Sequence, residues 1–261
     1  MEYQTLQVEF DASVASVWLN RPDVRNAFNE TTIAEITRAF NALGGDDRVK
    51  AIVLGARGTA FCAGADLNWM KKMAAYTHEE NRADAAQLAA MLLAINTCPK
   101  PVVARIQGDC YAGGMGLAAA CDIAVAADGV QFCLSEAKLG LIPATIAPYV
   151  IRAMGENAAR RYFLTAERFP AAEAQRIGFV HAVSSADELD GAVERIVHAL
   201  LANSPNAVRE AKRLVRDVAG RPFTPALIDD TVGRIAAIRA SAEGVEGVRS
   251  FLEKRKPTWL A

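Results

Sequence analysis

Hydrophobic and polar positions alternate where the chain begins. Leu6, Val8 and Phe10 stand two apart between polar neighbours, and Val17 and Leu19 repeat the spacing, so a pair of strands opens the fold. Over 32–43 the period lengthens to that of a helix, and 51–54 is a short unbroken apolar run of the kind a buried strand shows. In His78–Asn96 the residues Leu88, Met91, Leu92 and Ile95 fall on one helical face. Pro99 and Pro101 stop that helix, and Val102–Ile106 reads as a second buried strand. Residues 123–127 and 131–134 read as continuing the sheet. The recurring unit is strand, strand, helix, which predicts an α/β core.

The pattern changes in the second half. Val193, Ile196, Val197 and Leu200 stripe one helix, and Val208, Ala211, Leu214 and Val215 a second. Ile228, Val232 and Ile235 mark a third, and Val245, Val248 and Leu252 a fourth, with no strand evident beyond residue 183 or so. Apolar stripes without a sheet must cover the core or another subunit. The expected organisation is a core over 1–195 followed by a helical region over 196–261.

Composition narrows the function classes. The chain has 261 residues, 52% hydrophobic and 23% charged, the profile of a soluble globular protein with ample core. A formal net charge of −1 and 7% aromatic residues give no footprint for nucleic acid or an anionic membrane. No apolar run nears the roughly 20 residues of a membrane span, and Asp122 interrupts the greasiest stretch, 117–127. Met1-Glu2-Tyr3-Gln4 lacks the basic-then-apolar start of a secretion signal. Five cysteines without a C-x-x-C pair, beside three histidines, predict free thiols in a reducing cytoplasm and no metal site.

Candidate chemistry gathers in three segments. Ala60-Phe61-Cys62-Ala63-Gly64-Ala65-Asp66-Leu67 follows a strand; its small residues let backbone approach a ligand, and Asp66 suits the N-cap of a following helix. Gly108-Asp109-Cys110-Tyr111-Ala112-Gly113-Gly114-Met115-Gly116 runs from a strand into an apolar helix over 117–121, and amides at a helix start are free donors. Two such turns on adjacent strands can aim their N–H groups at one oxygen, forming an oxyanion hole of main chain; the alternative is two tight structural turns. Glu136, in Phe132-Cys133-Leu134-Ser135-Glu136-Ala137-Lys138-Leu139-Gly140-Leu141-Ile142-Pro143, is a carboxylate in apolar company. It is either a proton shuttle of raised pKa or a charge paired with Lys138.

The order F-C-A-G-A-D-L, A-G-G at a helix start, C-D-I-A-V-A, then S-E-x-x-L-G-L-I-P resembles the crotonase, or enoyl-CoA hydratase/isomerase, superfamily. The likeness runs from N-R-P-D-V-R-N-A-F at 20–28 to F-L-E-K-R-K at 251–256. It implies a spiral of strand–strand–helix repeats, a C-terminal helical region that assembles homotrimers or hexamers, a coenzyme A thioester as substrate, and no separate cofactor. Carried over by position, Ala65 and Gly113 hold the thioester oxygen and Glu136 is the acid–base group. Arg25, Ala27, Ala63, Asp66, Leu67, Asn68 and Gly114 line the coenzyme A groove, and Lys254 reaches the cofactor of a neighbouring subunit.

One feature departs from typical hydratases, which carry two glutamates: the position of the first is Gly116. A single carboxylate is also the pattern of enoyl-CoA isomerases. Against that, G-L-I-P-A-T-I-A-P-Y-V followed by A-A-R-R-Y-F-L-T-A-E-R-F is similar to methylglutaconyl-CoA hydratases of leucine breakdown and isohexenylglutaconyl-CoA hydratases of terpenoid breakdown. The expectation is therefore a hydratase, with Asp109 or Tyr111 as candidates to replace the lost carboxylate. A distal substrate carboxylate wants a cation, for which Lys71, Lys72 and Arg82 are candidates, and Trp69, Met70 and Met73 either line an acyl pocket or pack in the core. Two other enzyme classes fit less well. Gly114-x-Gly116-x-x-Ala119, with Glu136 about 20 residues on, mimics a dinucleotide fingerprint but leaves the chain before residue 102 unexplained. A serine or cysteine hydrolase lacks both the G-x-S-x-G elbow and a nearby histidine.

Overall fold

A computed structural model describes residues 2–260. The opening alternation forms an antiparallel pair, β1 (Leu6–Asp11) and β2 (Val14–Leu19), in which Leu6 faces Leu19 and Val8 faces Val17. Asn29 caps α1 (Glu30–Gly44) through the Thr32 amide, and the chain then enters β3 (Ala51–Ala56), buried along its whole length. β4 (Ala60–Cys62), α2 (Leu67–Met73) and α3 (His78–Asn96) follow; α3 starts at a capping box between Thr77 and Glu80. Next come β5 (Val102–Ile106), β6 (Asp109–Tyr111) and α4 (Gly113–Ala120), then β7 (Ile123–Ala127) and β8 (Gln131–Cys133). α5 (Ala147–Thr165), broken at Gly155, leads to β9 (Phe169–Pro170), α6 (Ala171–Arg176) and β10 (Ala182–Ser184).

Three strand–strand units, β3–β4, β5–β6 and β7–β8, divide between two sheets. Their first members join β1, β2 and β10 in a six-stranded sheet of order β1-β2-β3-β5-β7-β10, parallel from β2 onward. Their second members join β9 in a smaller sheet, β4-β6-β8-β9, parallel except for β9. Residues 131–134 therefore do not continue the sheet of residues 123–127, as the apolar pattern suggests; β8 pairs with β6 in the smaller sheet. Segments of three residues carry too little periodicity to reveal this. Helices α1, α3 and α4 pack in succession beside the sheets, with Ile33, Ile36, Phe40, Met91, Leu92, Ile95, Met115 and Leu117 in one apolar core.

The last helices differ in what they cover. α7 (Leu189–Leu201) straddles residues 195 and 196 and buries Leu189, Val193 and Val197 against β5, β7 and β10. α8 (Pro205–Val218), α9 (Pro225–Ala240) and α10 (Ala242–Leu252) are the helices that leave the core. Their apolar stripes stay open: Val215, Ile228, Val232, Val248 and Leu252 are all more than half exposed. Among the described residues no helix is long and apolar enough to cross a membrane.

Candidate active site

Three parallel strands of the smaller sheet end on a common edge, and each hands the chain to one candidate group. β4 leads into Gly64 and Ala65, β6 into Ala112 and Gly113, and β8 into Glu136. The carboxyl ends of neighbouring parallel strands are where α/β sheets present ligands. The turns touch. A Cβ on Gly64 would lie 3.0 Å from the Ala112 methyl and 4.0 Å from the Gly113 nitrogen. The turn after β6 is pinned to β8, where the Ala112 N–H donates to the Cys133 carbonyl at 2.8 Å.

Both candidate donors are uncommitted. Ala65 forms a parallel bridge with Phe28, in which the Phe28 amide donates to the Gly64 carbonyl and the Asp66 amide to the Phe28 carbonyl, at 2.9 and 3.0 Å. That geometry turns the Ala65 N–H away from Phe28, and no acceptor engages it among the described residues. Gly113 opens α4, so its N–H has no intrahelical acceptor and carries the positive end of the helix dipole. Ala112 ahead of it adopts φ 48°, ψ −122°, a region costly for any residue with a Cβ. Such strain persists where packing imposes it, and here it aims the start of α4.

Glu136 opens a short 3₁₀ turn, Glu136–Leu139. One of its carboxylate oxygens is buried with no hydrogen-bond partner. Burial pushes its pKa above the usual carboxylate range, opposed only in part by its own backbone amide. Lys138 does not pair with it, so the solvated ion pair allowed by the sequence is not formed. An unpaired, half-buried carboxyl group can accept a proton from water and return it.

The remaining candidates fall on both sides of their expectations. Asp66 caps α2 through the amides of Asn68 and Trp69 and pairs with Arg21 at 2.8 Å, so its carboxylate is occupied by the fold. Burial raises its pKa, but Arg21 and the two amides outweigh that and hold it below the usual range. Ala27 is buried and its carbonyl accepts from Arg21, while Ala63 is half-buried and donates to the Arg25 carbonyl. Leu67 and Asn68 are exposed beside this turn, free to meet a ligand. Gly114 faces Cys62, with room for no Cβ. Lys254 lies exposed just past α10 at φ 55°.

Asp109 and Tyr111, the candidates to replace the lost carboxylate, are hydrogen-bonded to each other. The Asp109 carboxylate pairs with Arg25 at 3.0 Å and accepts from the Tyr111 hydroxyl at 2.7 Å. Burial, with that hydrogen bond, pushes the phenol up to about 12, and Arg168 stacks 5.3 Å from its ring. Lys72 pairs with Glu30, while Lys71 and Arg82 lie exposed. Trp69 belongs to the core: it is buried, donates to Asp84 at 3.0 Å and packs 5.9 Å from Phe28. The sequence reading missed Arg21 and Arg168, whose partners are distant in the chain, and Ile146, which closes the space beside Gly116.

The profile of the Enoyl-CoA hydratase/isomerase family matches residues 9–261. The chain belongs to that family. A crotonyl-CoA hydratase of Syntrophomonas wolfei is 30% identical over the whole of both chains. The crystal structure of an enoyl-CoA hydratase from Shewanella pealeana superposes with a TM-score of 0.96 at 42% identity, covering 99% of this chain and 97% of that one. An enoyl-CoA hydratase from Mycobacterium smegmatis gives 0.93 at 34% identity, with 99% and 100% covered. The two-sheet α/β architecture described above is thus the family's fold, and the chain is an enzyme of this hydratase and isomerase group.

Proposed function

We propose that this enzyme adds water across the double bond of a 2,3-unsaturated acyl-coenzyme A, with branched glutaconyl thioesters such as 3-methylglutaconyl-CoA as its substrate class. One observation carries the reading: two uncommitted amides and an unpaired buried carboxyl group lie at adjacent ends of three parallel strands. The thioester oxygen sits between the Ala65 and Gly113 amides, which stabilise the negative charge that grows there as C2 becomes enolate-like. One such donor is worth about 10²–10³ in rate. Glu136 takes a proton from the water whose oxygen bonds to C3, then delivers that proton to C2. The C2–C3 π electrons pass through the enolate and end in the new C2–H bond, so the atoms balance without metal or redox help.

The coenzyme A moiety lies along the edge formed by Arg25, Ala27, Ala63 and Leu67–Asn68, of which Arg25, Leu67 and Asn68 are exposed. Assembly into a trimer or hexamer covers the open stripes of α8–α10. The single carboxylate also favours a second reading, an isomerase in which Glu136 moves one proton between C2 and C4. Following the enoyl absorbance separates them: hydration removes it, whereas isomerisation of a 3-enoyl thioester creates it. A kcat/KM for 3-methylglutaconyl-CoA below that for crotonyl-CoA would retire the branched-glutaconyl assignment.

A further inference from the structure

Phe28 touches the turns of both candidate donors. Its main chain brackets Ala65, holding the Gly64 carbonyl and the Asp66 amide on either side. Its ring meets the other turn: a Cβ on Gly113 would fall 2.2 Å from Phe28 Cζ and 2.8 Å from Cε1, so the ring tip rests on the Gly113 Cα. The residue is itself immobilised. It is 2% exposed, the next residue, Asn29, caps α1, and Trp69, tied to Asp84 by its indole N–H, backs the ring. Aromatic rings are stiff spacers with two rotatable bonds, and Asp84–Trp69–Phe28 braces this one from α3 through α2.

We propose that Phe28 is a positioning residue that sets the separation of the Ala65 and Gly113 amides, and so the fit of the oxyanion hole to the developing charge. The proposal rests on the oxyanion reading above. It also explains why position 113 carries glycine: any side chain there would displace the spacer. A hole loosened by about 1 Å still binds a thioester through its many other contacts, but stabilises the transition state less, by about 10² in rate.

The test uses the full-length enzyme, with steady-state kinetics and the absorbance of bound 4-dimethylaminocinnamoyl-CoA, a push–pull chromophore whose band moves to the red when its thioester oxygen is polarised. Phe28→Ala is expected to lower kcat about 100-fold with KM changed less than threefold, and to lose most of the red shift. Phe28→Leu, which keeps apolar bulk at the site, should recover at least a tenth of the wild-type kcat. A folded Phe28→Ala enzyme that keeps both kcat within threefold and the full shift overturns the proposal while leaving the oxyanion reading intact. Absence of the shift in the wild type removes the oxyanion reading itself, and the proposal with it. Should Phe28→Ala not fold, the contact is read from the other side. Gly113→Ala should be nearly inactive and regain at least tenfold when combined with Phe28→Leu; no recovery in the double variant counts against the proposal.

Discussion

The side chain of Ile146 occupies the space that any residue larger than glycine would need at position 116. A Cβ on Gly116 would lie 2.3 Å from Ile146 Cγ2 and 2.8 Å from its Cβ, with Leu92 at 3.6 Å on the other side. The missing first glutamate is therefore not a gap that a carboxylate could fill by simple replacement. The packing around Gly116 is apolar and leaves no room there for a side chain.

This packing makes a coupled prediction. Gly116→Ala should overpack the core and lower stability by about 1–3 kcal/mol, and Gly116→Glu should do worse without gaining hydration activity. Combined with Ile146→Ala, either change should cost less than the sum of the single variants by at least about 1 kcal/mol. Urea unfolding of the four corners of the cycle measures this. Additive values would mean that the two positions do not share the space.

Glu136 predicts opposite signs for activity and stability. Glu136→Gln should reduce hydration by about 10²–10⁴, the usual contribution of a general acid–base group, and activity within threefold of wild type would refute its role. Because burial raises its pKa, the acid limb of kcat/KM should lie above the usual carboxylate range and vanish in the variant. For stability, the folded state binds this proton more tightly than the unfolded chain. The contribution is therefore most favourable below the unfolded pKa and is lost as pH rises through the folded one. Glu136→Gln should thus be the more stable protein at neutral pH, the advantage shrinking toward acid; thermal melts across pH would show it.

Lys212 fastens α8 to the core. Its ammonium pairs with Asp122 at 2.7 Å and donates to the Lys100 carbonyl at 3.0 Å, while Asp122 also accepts from the Val102 amide at 2.7 Å. Burial raises the Asp122 pKa, and Lys212 works against that rise. Lys212→Met should cost about 3 kcal/mol by leaving a largely desolvated carboxylate unpaired. Adding Asp122→Asn should restore most of it, since an amide oxygen still accepts from Val102. The denaturation midpoint reports both, and faster proteolysis between α7 and α8 in Lys212→Met should accompany the loss.

The open stripes of the C-terminal helices predict self-association. Ile228, Val232 and Ile235 on α9 are 57%, 58% and 47% exposed, and Val248 and Leu252 on α10 are 61% and 73% exposed. Apolar side chains exposed in a row along a helix are the mark of a face that meets another surface. Sedimentation of the wild type should give a trimer or a multiple of it, and Val232→Asp with Ile235→Asp should lower the mass. An unchanged mass would place the interface elsewhere.

Local signals in the chain were enough for much of the architecture and for the segments of the candidate site. The β1–β2 pair, α3 from His78 to Asn96 and the Asp66 cap all depend on spacing or on neighbours within one helical turn, so each could be read from the residues themselves. The motifs around Ala65, Gly113 and Glu136 pointed to the same three segments that the smaller sheet brings to one edge.

What only the tertiary structure decided is how distant segments meet. β4, β6 and β8 are too short to carry a period, and they become strands because each finds the next as a partner. Arg21 finds Asp66 across 45 positions, Trp69 turns inward to Asp84, and Ile146 seals Gly116. Periodicity and caps are set by a residue's own backbone and its near neighbours. Packing and ion pairing are set by whichever surfaces the folded chain brings within a few ångströms, and a linear sequence does not state that distance.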